Sequence, residues 1–276
     1  MNTTTDKTPP LCLFRYDTEC DEIDAMQDFL PTLVEVHRRY QIPATLFCTG
    51  RMLEKRRSEY VEFAAEVCDD PLFDIQDHSY SHIGVGYEAG KPIDVLRDDY
   101  LRSFDIHESI FGKRPVSVSL CGTSVDGRRL TGFDETDKSR AEFEMLVELG
   151  MREVSAFLST VATNQSFCTF ASLGHPEITG FPSGFSDTGW MMDWDAEGKI
   201  IRREPFDEAL ATITDEIKRR GPAGIHMPIL MHDWCAWKVA PEKDLAHVIL
   251  FAETARAAGF ELVTHAEGCR RFRTTI

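Results

Sequence analysis

The sequence predicts an α/β fold, and three observations support this prediction. Short apolar runs alternate with segments of helical periodicity, no internal repeat or low-complexity tract interrupts the alternation, and 276 residues suffice for one large domain. Roughly seven strand–helix pairs follow one another along the chain, which indicates a single barrel. In such a barrel the functional side chains are expected where the strands end.

The strands are expected at short apolar or β-branched runs, and the helices at apolar positions spaced three or four residues apart. Met26, Leu30, Leu33 and Val34 form one such helical stripe, while glycine marks the end of several later helices. In chain order the pattern predicts strand 11–17, helix 24–40, strand 44–48, helix 60–67, strand 72–76, helix 94–111, strand 115–121, helix 140–149, strand 152–158, helix 206–219, strand 226–232, helix 241–258 and strand 260–264.

Two segments do not follow this alternation. Residues 1–10 are polar, and we expect them to form a disordered tail before a single folded domain over residues 11–276. Between Thr160 and Glu204 the pattern gives way to Gly, Pro, Ser and aromatic residues. That stretch is too long for an idle connection inside a compact domain, so we expect it to face the substrate.

Charge and composition exclude several classes of protein. Thirty Lys and Arg against 46 Asp and Glu give a net charge of −16, which repels nucleic acid and anionic lipid. The apolar run Leu11–Phe14 is too short for a signal peptide or a membrane span, so we expect no membrane span and a cytoplasmic location. The eight cysteines are scattered without a CxxC pair, which favours neither a disulfide framework nor a zinc knuckle.

The sharpest local signal is the segment Asp77–His82, which contains two histidines four residues apart. If the segment forms a helical turn, His78 and His82 can point at one metal ion, and neutral imidazoles suit zinc and similar divalent metals. Both residues follow directly after a predicted strand, where a barrel builds its site. The alternative is that they are two solvent-facing loop histidines.

Two carboxylates, Asp17 and Glu19, follow the first predicted strand. Their spacing places them on one face of an extended chain. One can hold a metal while the other accepts a proton from water that the metal activates. The alternative is an acidic segment leading into the next helix.

His232 ends the apolar strand 226–232 and is a candidate proton donor. A buried imidazole there needs a partner, and Asp187, Asp193 or Asp195 could raise its pKa. His226, six residues earlier, is expected at the opposite end of the barrel in a structural role.

At these residues the sequence resembles the polysaccharide deacetylase family, also called the NodB-homology family. The resemblance covers about residues 11–265 and rests on the segments LFRYDTE, IPATLFCTG, IQDHSYSH and ILMHDW followed by GFELVTHAE. It implies a distorted (β/α)7 barrel and one divalent metal ion, with Zn²⁺ expected, held by a carboxylate, His78 and His82. It also implies Asp17 as general base and His232 as general acid.

Two departures from the family pattern bear on these roles. The family usually has two adjacent aspartates in its first motif, whereas Thr18 separates Asp17 from Glu19 here, so the metal ligand is Glu19 if Asp17 is the base. The exchanged roles remain open. The family's Arg-x-Pro motif, which orients the base, is replaced by Ser119, Leu120 and Cys121, and Arg15 is a candidate substitute.

The resemblance implies a metal-dependent amide hydrolase, with deacetylation of an N-acetylated sugar or related small amide as the leading hypothesis. The missing arginine and the segment LVELGMREVSAFLS, similar to allantoinase-like members, favour ring opening of a cyclic amide or ureide as the alternative. An inactive metal- or ligand-binding barrel is the second alternative. Trp190, Trp194 and Trp234 could line the pocket for a carbohydrate or small-molecule substrate, or could simply pack. The oligomeric state is left open.

Overall fold

The computed structural model describes residues 8–83, 91–121, 123–125, 128–130, 137–156, 166–197, 199–240 and 242–276. Most of the expected disordered tail, residues 1–7, lies outside this part of the chain, as do the last two residues of the expected strand 152–158. In the described part no helix is both long and apolar enough to cross a membrane.

The strands of the described ranges are β1 (Leu11–Thr18), β2 (Ala44–Cys48), β3 (Phe73–Asp77), β4 (Ser117–Val118), β5 (Thr123–Val125), β6 (Arg128–Leu130), β7 (Glu153–Ala156), β8 (Cys168–Phe170), β9 (His175–Pro182), β10 (Phe185–Ser186), β11 (Met192–Trp194), β12 (Ile200–Arg202), β13 (Met227–His232) and β14 (Glu261–Val263). The α-helices there are α1 (Phe29–Arg39), α2 (Gly50–Lys55), α3 (Arg57–Val67), α4 (Ile93–Phe111), α5 (Asp137–Glu148), α6 (Asp187–Trp190), α7 (Phe206–Ala223), α8 (Ala246–Ala257) and α9 (His265–Arg273).

The central sheet curls into a barrel, and its strands are parallel except for β8, which pairs antiparallel with β9. Its strands follow the order β13, β1, β2, β3, β4, β7 and β9, with β14 added beside the start of β1. Residues 175–186 close the barrel, because β9 pairs with β7 at one end of this strand order and β10 pairs with β13 at the other. With β9 and β10 counted as one strand, the barrel has seven strands, and the predicted (β/α)7-type fold is confirmed.

The interior strands are buried along their whole length. Every residue of β1 and of β2 is buried, as expected for parallel strands covered on both faces. Helices α1, α3 and α8 pack outside them and contribute apolar side chains such as Leu33, Phe63 and Phe251 to the main core. This burial holds the strand ends, and the side chains that follow them, at defined positions.

The interpretation of residues 160–204 as an excursion facing the substrate is wrong for β9 and β10, which belong to the barrel, and residues 160–165 and 198 lie outside the described part of the chain. The stretch contains β9, which is a strand of the barrel, and the short elements β8, β10, α6, β11 and β12. Gly180 and Pro182 gave β9 the composition of a loop, although Ile178 and Phe181 are fully buried. Helix α9 was also missed, although Thr264 caps it by accepting a hydrogen bond from the Glu267 N–H.

Candidate active site

Four strand ends meet at one edge of the barrel. Asp17 of β1 lies level with His232 of β13, and Thr18 lies level with Cys48 of β2. Cys48 in turn pairs with Asp77, the last residue of β3. The residues that follow these strands, including Glu19 and His78, therefore converge at the same end, as the barrel prediction requires.

Glu19 lies between the two histidines that the sequence singles out. Its Oε1 atom is 3.1 Å from Nε2 of His78 and 3.1 Å from Nε2 of His82. The same oxygen is 3.9 Å from Nε2 of His232. Burial would raise the pKa of Glu19, but the hydrogen bonds from His78 and His82 hold it well below its usual value. The carboxylate is therefore charged and faces three imidazoles.

The loop that carries His78 and His82 is not a helical turn. Ser79 and His82 both adopt left-handed backbone conformations, with φ of 60° at each, and this path brings the two rings to a centroid distance of 5.0 Å. The spacing of four residues correctly predicted that the two imidazoles lie close together. The cause is the left-handed conformation of Ser79 and His82 and not a helical turn.

Two aspartates hold this loop in place. Asp77 accepts a hydrogen bond from the Ser79 N–H at 2.7 Å, and Asp99 of α4 accepts from the N–H groups of Tyr80 and Ser81 at 2.8 and 3.2 Å. Asp99 lies outside the segment that carries the histidines, and no local pattern in the sequence connects it with them. Backbone anchoring of this kind fixes the direction of both imidazoles.

The orientation of His78 is set by a backbone carbonyl. Its Nδ1 is 2.7 Å from the Ser119 carbonyl oxygen, which can only accept a hydrogen bond, so Nδ1 carries the hydrogen. Nε2 is then the atom that faces Glu19, to which it donates when the ring is protonated, and it keeps its lone pair when the ring is neutral. This is the tautomer that a metal-binding histidine needs.

Asp17 is buried beside Arg15 and Ser119. The Nη2 atom of Arg15 lies 3.0 Å from Asp17 Oδ2 and also donates to the Ser119 hydroxyl at 3.0 Å. Ser119 in turn donates to the same Asp17 oxygen at 3.2 Å. No hydrogen-bond partner from the described ranges reaches Asp17 Oδ1. One oxygen of this carboxylate is thus fixed while the other is free.

His232 is paired with Asp187, the first residue of α6. The Asp187 Oδ1 atom is 2.6 Å from Nδ1 of His232, and its Oδ2 atom accepts the His232 backbone N–H at 2.6 Å. Burial lowers the pKa of His232, but the charge of Asp187 outweighs it and raises that pKa to about 9. The two other aspartates considered as partners, Asp193 and Asp195, accept backbone hydrogen bonds within the β11–β12 hairpin instead.

Asp233 holds the backbone next to the site through hydrogen bonds, a role that the sequence did not predict. Its Oδ1 atom accepts the N–H groups of Glu19 and Trp234 at 3.1 and 2.9 Å. Burial raises the pKa of this carboxyl to about 6. Asp233 therefore ties the end of β1 to the end of β13.

The three tryptophans lie in different surroundings. The Trp234 ring is next to His232, with the ring centroids 5.6 Å apart. Trp190 is buried and packs edge-on against Phe251 in the core, whereas Trp194 is 61% exposed on β11. The structure thus brings only Trp234, among these three, beside a candidate catalytic residue.

Cys121 also borders the site. Its Sγ atom lies 3.9 Å from Nε2 of His78, and the donor atoms of His78, His82 and Cys121 all lie within 4.8 Å of one another. Asp17, Glu19 and His78 form a second group of this kind. The two groups share His78 and contain imidazole, carboxylate and thiol donors, which are the ligand types that zinc prefers, so the residues present fit a divalent metal of this class.

The comparison with protein families identifies the same segments. The polysaccharide deacetylase model matches residues 16–132, which include Asp17, Glu19, His78 and His82. No curated protein sequence matches the chain.

Several solved structures share the fold at low sequence identity. A protein from Mycobacterium smegmatis described as a polysaccharide deacetylase is 13% identical and has a TM-score of 0.71, covering 98% of this chain and 92% of that one. Puue allantoinase is 14% identical with a TM-score of 0.66, covering 97% and 91%. A CE4 family pseudoenzyme from Bacillus anthracis is 14% identical with a TM-score of 0.53, covering 95% and 69%. The chain is thus similar to polysaccharide deacetylases over residues 16–132, and it shares the barrel fold of these solved structures.

Proposed function

We propose that the protein is a metal-dependent hydrolase of a C–N amide bond, and that its substrate is an N-acetylated sugar or a related small amide. The observation that carries the proposal is the position of Glu19 Oε1, 3.1 Å from Nε2 of both His78 and His82. Asp17 and His232 flank this group on neighbouring strands, in the positions of a base and an acid.

Glu19, His78 and His82 are the residues that would hold the metal, with zinc expected from the donor types. A bound divalent cation supplies Lewis acidity, polarising an amide carbonyl and making water easier to deprotonate. Glu19 suits the ligand role better than Asp17, because its carboxylate contacts both histidines while Asp17 Oδ2 is 3.7 Å from His78.

Asp17 is proposed as the general base. Arg15 and Ser119 fix its Oδ2 atom, which leaves Oδ1 to accept a proton from the attacking water. Arg15 thereby takes the part that the family's Arg-x-Pro arginine would play. The guanidinium also balances the charge of a carboxylate that is almost fully buried.

His232 is proposed as the general acid. Asp187 binds Nδ1 of the ring, so Nε2 faces Glu19 and the site and can protonate the leaving nitrogen. The nearby Trp234 ring offers an apolar face for a sugar or an acetyl group.

Ring opening of a cyclic ureide is a second candidate function. The replacement of Arg-x-Pro by Ser119, Leu120 and Cys121 favours it, and Puue allantoinase has the same fold. A third candidate is a barrel that binds a metal or ligand without turnover. A cytoplasmic location stays a prediction, which cell fractionation tests.

Product identity tests the proposal. Zinc-loaded enzyme is incubated with N-acetylated amino sugars and, separately, with allantoin, and the products are measured by mass spectrometry. Deacetylation releases acetate and a free amine, whereas ring opening releases neither and gives a product one water heavier. Turnover of long chitin chains with none of small amides would contradict the proposed substrate class, and metal binding without turnover of any amide would support the inactive barrel.

A further inference from the structure

We propose that the thiolate of Cys121 is a fourth protein ligand of the metal, beside Glu19, His78 and His82. This inference rests on the metal site of the proposed function and adds a soft sulfur donor to it. The carboxylate and the two histidines already follow from the family resemblance, whereas the thiol does not.

The distances suit coordination. Typical zinc bond lengths at tetrahedral angles place a histidine nitrogen about 3.6 Å from a thiolate sulfur and about 3.3 Å from a carboxylate oxygen. The corresponding separations here are 3.9 Å from His78 Nε2 to Cys121 Sγ and 3.1 Å from His78 Nε2 to Glu19 Oε1. Each lies within a few tenths of an ångström of the separation that a shared zinc ion would set. Because Sγ is also 4.0 Å from Nδ1 of the same ring, the thiol side chain turns toward Nε2 when it binds the ion.

The surroundings of Cys121 differ from those of an ordinary core cysteine. The side chain is 1% exposed, yet its Sγ atom faces two imidazoles instead of apolar side chains. The thiol donates to the His78 carbonyl at 3.5 Å and lies 3.6 Å from the Ser79 hydroxyl, and both bonds are weak because a thiol is a weak donor and a weak acceptor. Cys12, by contrast, is buried in the main hydrophobic core.

The position of Cys121 in the sequence also supports this role. It lies in the stretch that replaces the family's Arg-x-Pro motif, and Arg15 already contacts the base. In this stretch the Ser119 hydroxyl still binds Asp17, while the Ser119 carbonyl orients His78. Two residues later the thiol reaches the same imidazole.

A thiolate ligand has two consequences for the metal. It favours zinc or cobalt over harder ions such as magnesium, because sulfur is a soft donor. Four protein ligands also complete a tetrahedral shell, so chemistry at the metal requires a fifth position or the release of one ligand.

Cobalt substitution tests the inference by spectroscopy. Metal-free protein is loaded with one equivalent of Co²⁺, bound cobalt is measured, and the absorption spectrum is recorded. We expect a sulfur-to-cobalt charge-transfer band in the near ultraviolet for the wild type and for the matched control Cys12→Ala. Cys121→Ala should bind cobalt but lose this band.

The outcomes separate this inference from the proposed function. Bound cobalt without the charge-transfer band in the wild type, or a band that persists in Cys121→Ala, overturns the inference and leaves the metal site standing. A wild type that binds no cobalt overturns both. If Cys121→Ala does not fold, X-ray absorption of the zinc-loaded wild type decides: a sulfur neighbour at about 2.3 Å supports the inference, and a shell of only nitrogen and oxygen overturns it.

Discussion

The guanidinium of Arg15 lies 3.0 Å from the carboxylate of Asp17, two residues further along the same buried strand. Residues at this spacing share one face of a strand, and here that face points into the barrel. Ser119 binds both groups and closes a small hydrogen-bonded triangle. The candidate base is therefore oriented from its own strand and from the segment that follows β4.

Asp17→Asn should lower turnover by at least about a hundredfold, because the amide cannot accept the proton that a general base removes. Initial rates on the substrate identified by product analysis measure the effect. The exposed Asp24→Asn serves as the matched control and should retain wild-type turnover. Near-normal turnover in Asp17→Asn would exclude this residue as the base.

Arg15→Lys should reduce kcat by about tenfold to a hundredfold, the effect of a lost charged hydrogen bond, while KM changes little. Lysine keeps the charge but lacks the planar guanidinium whose Nη2 atom contacts both Asp17 and Ser119. Steady-state kinetics and a thermal melt of the same variant separate positioning from stability. A lower Tm with unchanged kcat would show that Arg15 serves only the fold.

Asp187→Asn should move the alkaline limb of the pH–rate profile to lower pH. The acid form of His232 is the protonated one, so activity is lost as the pH rises through its pKa, and the charge of Asp187 raises that pKa. Removing the charge lowers the pKa, and the limb moves with it. The profile of kcat/KM against pH measures the shift, with Asp193→Asn as the control. An unchanged limb would assign it to another group.

Gly221→Ala should destabilise the fold by about 1–3 kcal/mol, although alanine is the better helix former. A Cβ atom at this position in α7 would lie 2.2 Å from the backbone oxygen of Ala258, so the helices α7 and α8 would have to separate. Gly189→Ala is the matched control, since its Cβ would meet nothing within 4 Å. Urea unfolding measures both, and equal stabilities would contradict the close packing.

The sequence predicted those parts of the fold and site that depend on local pattern. Apolar runs that lead into acids or histidines identified the ends of β1, β3 and β13, because strands covered on both faces are rich in apolar residues. Glu19, His78 and His82 were named for this reason, and the structure gathers their donor atoms at one edge.

What the sequence left open depends on contacts between distant segments. Three aspartates near residue 190 were equivalent in the sequence, and only the fold brings Asp187 to His232. Cys121 and Asp99 carry no local motif, so their proximity to the histidine loop depends on how β4 and α4 pack. Strand β9 was missed because burial, and not an alternation of polar and apolar residues, determines which residues can form a strand inside a barrel.

Metal content tests the central claim most directly. Purified wild type, His78→Ala, His82→Ala and the His78→Ala/His82→Ala double variant are dialysed against one zinc buffer, and bound zinc is measured by mass spectrometry. His175→Ala is the control, because this histidine pairs with Glu144 and Glu177 away from the site. We predict one zinc per chain in the wild type and the control, less in each single variant, and almost none in the double variant. A folded double variant that holds as much zinc as the wild type would contradict the account.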